Sequence, residues 1–168
     1  LGRVDDALRA FEDGLVLEHD SLTFLNGKAM CLAAQAHYDD ATSLLAPVFA
    51  KDPNNYAAHR TKGYCLLKTG HAAEGLEALT FAAKGHPEDA VLLRWTGEAL
   101  AALGQPKDAL AAYDRAVAAA PEDDEAWRGK GLAHMSLEAF PDAAVAFSHA
   151  TASRPEDKAL WYMRGFAE

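Results

Sequence analysis

The sequence repeats with a period of 34 residues, and this regularity restricts the fold more than any other feature. Three sets of residues keep the period: small residues, pairs in which a bulky residue follows a small one by four positions, and prolines. The sets are Gly63, Gly97, Gly131 and Gly165; Ala7, Ala41, Gly75, Ala109 and Ala143 with Phe11, Leu45, Leu79, Tyr113 and Phe147; and Pro53, Pro87, Pro121 and Pro155. Such a period indicates stacked units that pack mainly against their neighbours.

Each unit has the apolar spacing of two helices. In the unit 124–157 the residues with this spacing are Trp127, Gly131 and His134 in the first helix, and Ala143, Phe147 and Ala150 in the second. Proline and acidic residues favour the first turn of a helix, so Pro106 and Pro141 indicate where second helices begin. Glycine inside a helix costs about 0.5–1 kcal/mol relative to alanine, so its recurrence predicts close helix crossings.

These residues resemble the tetratricopeptide repeat family. The best unit matches at Trp127, Gly131, Ala143, Phe147, Ala150 and Pro155. The resemblance implies an all-α fold, a right-handed superhelical solenoid of antiparallel helix pairs. It divides residues 1–168 into one array with a half repeat at 1–21, full repeats at 22–55, 56–89, 90–123 and 124–157, and a half repeat at 158–168. Because Leu1 is neither Met nor the start of a signal pattern, we expect an excerpt of a longer protein.

The sequence departs from the family pattern at a few positions. His59 and Leu93 lie where the family favours Trp. The residues that lie where it often has Leu are Lys28, Lys62, Lys130 and Arg164. We expect the aliphatic stems of these lysines and of Arg164 to lie along apolar surface while their charges reach water.

Patterns typical of catalysis and metal binding are missing from the sequence. The 7 histidines include no H-E-x-x-H pair, and there is no G-x-S-x-G motif or P-loop. Cys31 and Cys65 occupy equivalent sites about 10 Å apart, beyond the Cα distance of about 7 Å that a disulfide allows, so we predict two buried free thiols. We expect no enzyme activity, no metal and no cofactor in this segment, and a cytoplasmic location.

The net charge and hydropathy exclude two kinds of partner. With 25 acidic and 16 basic residues, the chain has a net charge of -9, which disfavours nucleic acid. No apolar run approaches the roughly 18 residues that a membrane span needs.

Three arginines, Arg60, Arg94 and Arg128, are spaced by 34 residues and therefore stack along the array. In the resembled family this slot faces a concave groove that receives extended peptides. The implied groove residues are Asn26, Met30, Arg60, Tyr64, Lys68, Arg94, Trp95, Glu98, Arg128, Leu132, Tyr162 and Phe166. Stacked arginines about 10 Å apart match an extended ligand with acidic residues at i, i+3 and i+6.

The same arginines have an alternative explanation. Glu98 follows Arg94 by four residues and Glu125 precedes Arg128 by three, so both arginines can form ion pairs within their own helices. Only Arg60, with Lys68 two turns later, looks unopposed.

We therefore predict a non-catalytic scaffold that binds a peptide segment of another protein, acidic if the arginines are available. The alternative is a substrate-docking array of a larger enzyme whose catalytic domain lies outside this segment. The terminal helices also predict self-association, through Leu8 and Phe11 or through Trp161 and Phe166. Light scattering over a concentration series tests this, and a monomer at all concentrations would exclude it.

Overall fold

The computed structural model describes residues 2–168, and these residues form eleven α-helices and no β-strand. The predicted all-α fold is confirmed. The part of the 1–21 half repeat that falls on Leu1 lies outside the described residues, and the repeat boundaries stay predictions.

The helices group into two compact units, one ending at Gly85 and the other beginning at His86. The first unit contains α1 (Gly2–Leu17), α2 (Leu22–Ala34), α3 (Tyr38–Leu44), α4 (Ala46–Lys51), α5 (Tyr56–Lys68) and α6 (Ala72–Ala83). The second contains α7 (Ala90–Ala102), α8 (Pro106–Ala119), α9 (Asp124–Ser136), α10 (Phe140–Ser153) and α11 (Lys158–Ala167). Within each unit, helices that are consecutive members of a pair pack against each other, as α5 does on α6 and α7 on α8.

Most repeats have a first helix that begins after a residue whose side chain caps it. Asn55, Asp89, Asp123 and Asp157 each accept a hydrogen bond from a backbone N–H in the first turn of α5, α7, α9 and α11, respectively. Such a cap contributes about 0.5–2 kcal/mol. The second helices α8 and α10 have proline in the first turn, as predicted from Pro106 and Pro141.

The unit 22–55 differs from the predicted two helices, because the second helix is interrupted between α3 and α4. Pro47 has no N–H to donate to the carbonyl of Ser43, which breaks the helical hydrogen-bond series. Leu45 keeps helical angles of φ -80° and ψ -13° at the junction. Leu45 and Val48 both stay buried in the core around Leu25, so the interruption does not open the core.

Three of the four recurring glycines, Gly63, Gly97 and Gly131, lie where helices approach each other closely, as predicted. A Cβ placed on Gly63 would lie 2.7 Å from Cγ of Leu79, and one on Gly131 would lie 2.5 Å from Cε1 of Phe147. The bulky residue in each pair belongs to the second helix of the same repeat and follows the glycine by sixteen positions. The fourth glycine of the series is different: a Cβ on Gly165 would meet no atom of the described chain within 4 Å.

The turn between the two helices of each repeat contains one residue in the left-handed region. These residues are Ala36 (φ 64°), Gly70 (φ 87°), Gly104 (φ 72°) and Glu138 (φ 57°), and they are spaced by 34. Only glycine adopts this conformation without steric cost, and other residues cost about 1–2 kcal/mol. Two of the four turns are therefore strained.

We expect Glu138→Gly to raise the free energy of unfolding by about 0.5–1 kcal/mol, because the released strain exceeds the entropy that glycine adds to the unfolded chain. The measurement is urea unfolding followed by circular dichroism. Gly104→Ala at the equivalent turn serves as the matched opposite change and should lower stability. A decrease in stability for Glu138→Gly would contradict the assignment of strain to this turn.

Both cysteines are free and buried, as predicted. Burial raises the pKa of the Cys65 thiol to about 11, so it is protonated at neutral pH. In the described part of the chain, no helix combines the length and apolarity that a membrane crossing needs.

Candidate functional site

In the first unit, the predicted groove residue Asn26 links two first helices. Its Nδ2 donates to Oδ1 of Asn55 at 3.0 Å. The same oxygen accepts the capping hydrogen bond from the backbone N–H of Ala58 at 3.0 Å. Asn26 therefore holds the beginning of α5 and stabilises the packing of α2 against it.

The other groove candidates of this unit form a small aromatic group. The Tyr64 ring packs edge-on against Tyr38, with ring centroids 6.2 Å apart. The Lys68 Nζ lies 5.5 Å from the centroid of the Tyr64 ring, within range of a cation–π interaction. Met30 is partly buried. This group presents apolar area beside a positive charge.

In the second unit, Arg94 binds two carboxylates. Its Nη1 donates to Glu98 at 2.9 Å, and its Nε donates to Oδ2 of Asp123 at 3.0 Å. Asp123 is also the cap of α9, so Arg94 reaches the start of the following first helix, as Asn26 does. The two links span the same 29 residues, which identifies a structural role for this repeat position.

Arg128 belongs to a second ionic network. Its Nη2 donates to Glu125 at 2.5 Å, and Arg154 donates to the other oxygen of Glu125 at 2.6 Å. Arg154 also pairs with Asp124. Partial burial acts to raise the pKa of Glu125, but the hydrogen bonds and charges of Arg154 and Arg128 outweigh it and hold the pKa below its ordinary value. Glu125 is therefore ionised at neutral pH.

These contacts show that the ion pairs of the second explanation form, and they leave the binding of a ligand by the arginines as a prediction. Arg94 and Arg128 pair with Glu98 and Glu125, as the alternative predicts. The prediction that Arg60 and Lys68 are unopposed is wrong, because both have interaction partners. Arg94 and Arg128 thus take part in ionic contacts that connect helices of the second unit.

Trp95 also differs from its predicted place on the groove surface. Only 6% of this residue is exposed, and the guanidinium of Arg94 lies 6.0 Å from the centroid of its ring. It follows Leu92 and Leu93, which are buried too, so the indole belongs to the interior. The prediction that Trp95 supplies open binding surface is therefore wrong.

Three predicted groove residues of the second unit are well exposed. The exposed fractions are 42% for Leu132, 75% for Tyr162 and 67% for Phe166. Leu132 and Phe166 are equivalent residues of α9 and α11, and Tyr162 lies one helical turn before Phe166 on the same face. We call these three residues the apolar stripe.

The residues predicted for self-association divide into two kinds. Leu8 is half-buried, and the half-buried Phe11 ring fills the space beside Gly27 in the first unit. Trp161 and Phe166 on α11 are exposed. Self-association through the ends stays a prediction.

The links between a first helix and the next cap were not predicted from the sequence. The signal was present as a polar residue followed 29 positions later by Asn or Asp, at Asn26 and Asn55 and at Arg94 and Asp123. Arg154 was missed as well, because it comes from the end of a second helix. Residues 2–168 bring together no group of three or more His, Cys, Asp or Glu that could hold a metal ion.

Helix pairs joined by tight turns and packed through small residues define an α-helical repeat protein. Family models described as tetratricopeptide repeat match residues 66–124 and 96–158, and a second such model matches residues 32–93. The chain belongs to the tetratricopeptide repeat family.

Solved structures of low sequence identity share this fold. TTC0263, a thermophilic TPR protein of Thermus thermophilus, has a TM-score of 0.77 and 21% identity, covering 99% of this chain and 91% of that one. YrrB, described as a TPR protein with an unusual peptide-binding site, has a TM-score of 0.76 and 21% identity, covering 96% and 83%. The first TPR of Spaghetti (RPAP3), bound to the HSP90 peptide SRMEEVD, has a TM-score of 0.65 and 19% identity, covering 69% and 92%. No curated protein sequence matches the chain.

Proposed function

We propose that the chain is a non-catalytic scaffold that binds an extended segment of another protein along its first helices, in the concave groove typical of the family. The exposure of the apolar stripe carries this proposal, since large apolar side chains on a first-helix face supply the buried area that binding needs. YrrB and the RPAP3 domain support it by analogy, because each is described with a peptide site or a bound peptide. We place the protein in the cytoplasm as part of the same proposal.

The finer part of the proposal is that the segment carries acidic residues. Arg94 and Arg128 already bind carboxylates of this chain, so the slot has the chemistry that accepts an acidic side chain. An incoming carboxylate would share a guanidinium with Glu98 or Glu125. Because exposed ion pairs contribute only about 0.2–1 kcal/mol, we assign most of the affinity to the apolar stripe and the register to the arginines.

Selection from a displayed library of random peptides tests both parts. The purified chain should enrich peptides with spaced apolar residues and acids three positions apart. The double variant Tyr162→Ala, Phe166→Ala should bind the enriched peptides at least about tenfold more weakly, because truncating aromatic anchors at a binding surface typically costs more than about 1 kcal/mol.

Val145→Ala is the matched control. Val145 is an exposed apolar residue of the second helix α10 and should leave binding unchanged. Equal binding by the parent and the double variant would overturn the proposed site. Enriched peptides without acids would overturn only the finer part.

A further inference from the structure

A groove of about 620 Å³ lies along α5 and α6 in the first unit, and none of the predicted peptide-groove residues lines it. From α5 it is lined by His59, Lys62 and Leu66. From α6 it is lined by a stripe of residues between Ala73 and Lys84, with Leu76 and Phe81 forming apolar walls. We call it the α5–α6 groove.

The α5–α6 groove is separate from the proposed peptide surface. A helix turns by roughly 100° per residue, so His59, Lys62 and Leu66 lie on one face of α5. Arg60, Tyr64 and Lys68 lie on a face roughly opposite to it. A partner in this groove would therefore leave the first-helix surface accessible.

The groove is lined by a histidine at a repeat position that holds a tryptophan in the second unit. His59 and Trp127 are equivalent residues, and the same kind of carbonyl binds both: His59 Nε2 lies 3.0 Å from the oxygen of Pro53, and Trp127 Nε1 donates to Pro121 at 2.8 Å. Each ring also packs on a ring of the second helix, and the ring centroids of His59 and Phe81 are 4.1 Å apart. The imidazole is smaller than an indole, and it lines the groove together with Leu66 and Phe81.

Charges of opposite sign border the two ends of the groove. Lys84 Nζ lies 4.8 Å from the centroid of Phe81, and Lys62 Nζ lies 5.7 Å from that of Phe49. Both rings flank His59, so the two lysines mark one end. Glu74 and Glu77 lie in the first two turns of α6, at the other end.

These charges differ from the arginines of the second unit in their ionic contacts. Within residues 2–168, the structure shows no ion pair for Lys62, Lys84, Glu74 or Glu77, in contrast to Arg94 and Arg128. From Glu77 to Lys84 the helix rises by about 10 Å, and from Glu74 by about 15 Å. The groove thus presents an apolar centre between a basic end and an acidic end.

We propose that the α5–α6 groove binds an amphipathic helix of another protein, with acidic residues at its N-terminal end and basic residues at its C-terminal end. A helix of about three turns matches the length of the groove, and charged residues seven to ten positions apart span the same distance of about 10–15 Å. Acids at the N-terminus and bases at the C-terminus also stabilise such a helix through its own dipole. Charge pairing then orients it antiparallel to α6, with leucine-type side chains against Leu66, Leu76 and Phe81.

The test uses two synthetic peptides and the whole chain. One peptide of about twelve residues has Asp-Glu at the start, Lys-Arg at the end and leucines at helical spacing between them; the other has the charged ends exchanged. Amide chemical shifts are followed by NMR during titration. The first peptide should shift amides of α5 and α6 around His59, Leu66 and Phe81, and it should bind at least about tenfold more tightly than the exchanged peptide.

Two variants separate binding from folding. The double variant Lys62→Glu, Lys84→Glu should bind the first peptide at least about tenfold more weakly and the exchanged peptide more tightly. The control is the double variant Lys107→Glu, Lys158→Glu, which makes the same change of net charge on exposed lysines of the second unit. The control should change the affinity for neither peptide. His59→Trp places the larger indole of the equivalent site at one end of the groove and should weaken binding at least about tenfold while helicity stays the same.

Several outcomes would overturn the proposal. They are equal binding of the two peptides, shifts outside α5 and α6, and binding that survives both Lys62→Glu, Lys84→Glu and His59→Trp. Shifts of the same amides that grow with protein concentration without peptide would assign the groove to a second copy of the chain and would also overturn it.

Discussion

Phe147→Ala is expected to lower the free energy of unfolding by about 3–5 kcal/mol. The Phe147 ring is fully buried, packs in the space left by Gly131, and belongs to a core with Ala143 and Ala167. Alanine would remove most of this apolar contact and leave a cavity that rigid neighbouring helices cannot close. Urea unfolding should be followed by circular dichroism together with the fluorescence of the 3 tryptophans, since the two signals separate if only part of the chain unfolds.

Phe166→Ala provides the matched control for this prediction. It makes the same substitution at a residue that is 67% exposed, and we expect a change within about 0.5 kcal/mol. A loss of similar size for both variants would contradict the assignment of Phe147 to the core. A loss below about 1 kcal/mol for Phe147→Ala would show that the repeat can collapse around the missing ring.

Gly131→Ala and Gly165→Ala are expected to change stability in opposite directions. Both replace a helical glycine at the same repeat position. At Gly131 the new Cβ would lie 2.5 Å from the buried Phe147 ring, which cannot move aside, so we expect a loss of about 1–3 kcal/mol. At Gly165 nothing in the described chain lies within 4 Å, so only the helix propensity of alanine acts, and we expect a gain of about 0.5 kcal/mol.

The measurement is the same urea unfolding, with helicity at zero denaturant as a check on the fold. A stabilising effect of Gly131→Ala would mean that the crossing does not require glycine. A loss for Gly165→Ala comparable to that for Gly131→Ala would mean that a helix covers the Gly165 position in solution.

The fold was predictable because its main determinant is periodic. Gly131 and Phe147 reveal their contact through a spacing that recurs along the chain, and the caps and prolines mark helix starts locally. The interruption at Pro47 was not predicted, because the apolar pattern continues through Leu45 and Val48 on both sides of the missing hydrogen bond. The strained turn at Glu138 was also missed, because a glutamate carries no signal for a left-handed conformation that its neighbours impose.

The candidate site was predictable only in part. Spacing within a helix gave the pairs of Arg94 with Glu98 and of Arg128 with Glu125. The bond from Arg94 to Asp123 depends on how the next first helix is placed, and this distance is not encoded by a local pattern. The burial of Trp95 likewise follows from packing around the residue and not from its position in the repeat.

The links from Asn26 to Asn55 and from Arg94 to Asp123 have a consequence for how unfolding spreads. Each cap residue holds its own helix and is itself held by the first helix before it, so the start of one helix depends on the folded state of its predecessor. Local opening of α2 or α7 releases the side chain that fixes the following cap, whereas opening of α5 or α9 removes no cap from the helix before it. Within each unit, we therefore expect amide protons in the first turn of the later helix to exchange faster when the earlier helix opens, because that opening removes the bond that holds the cap.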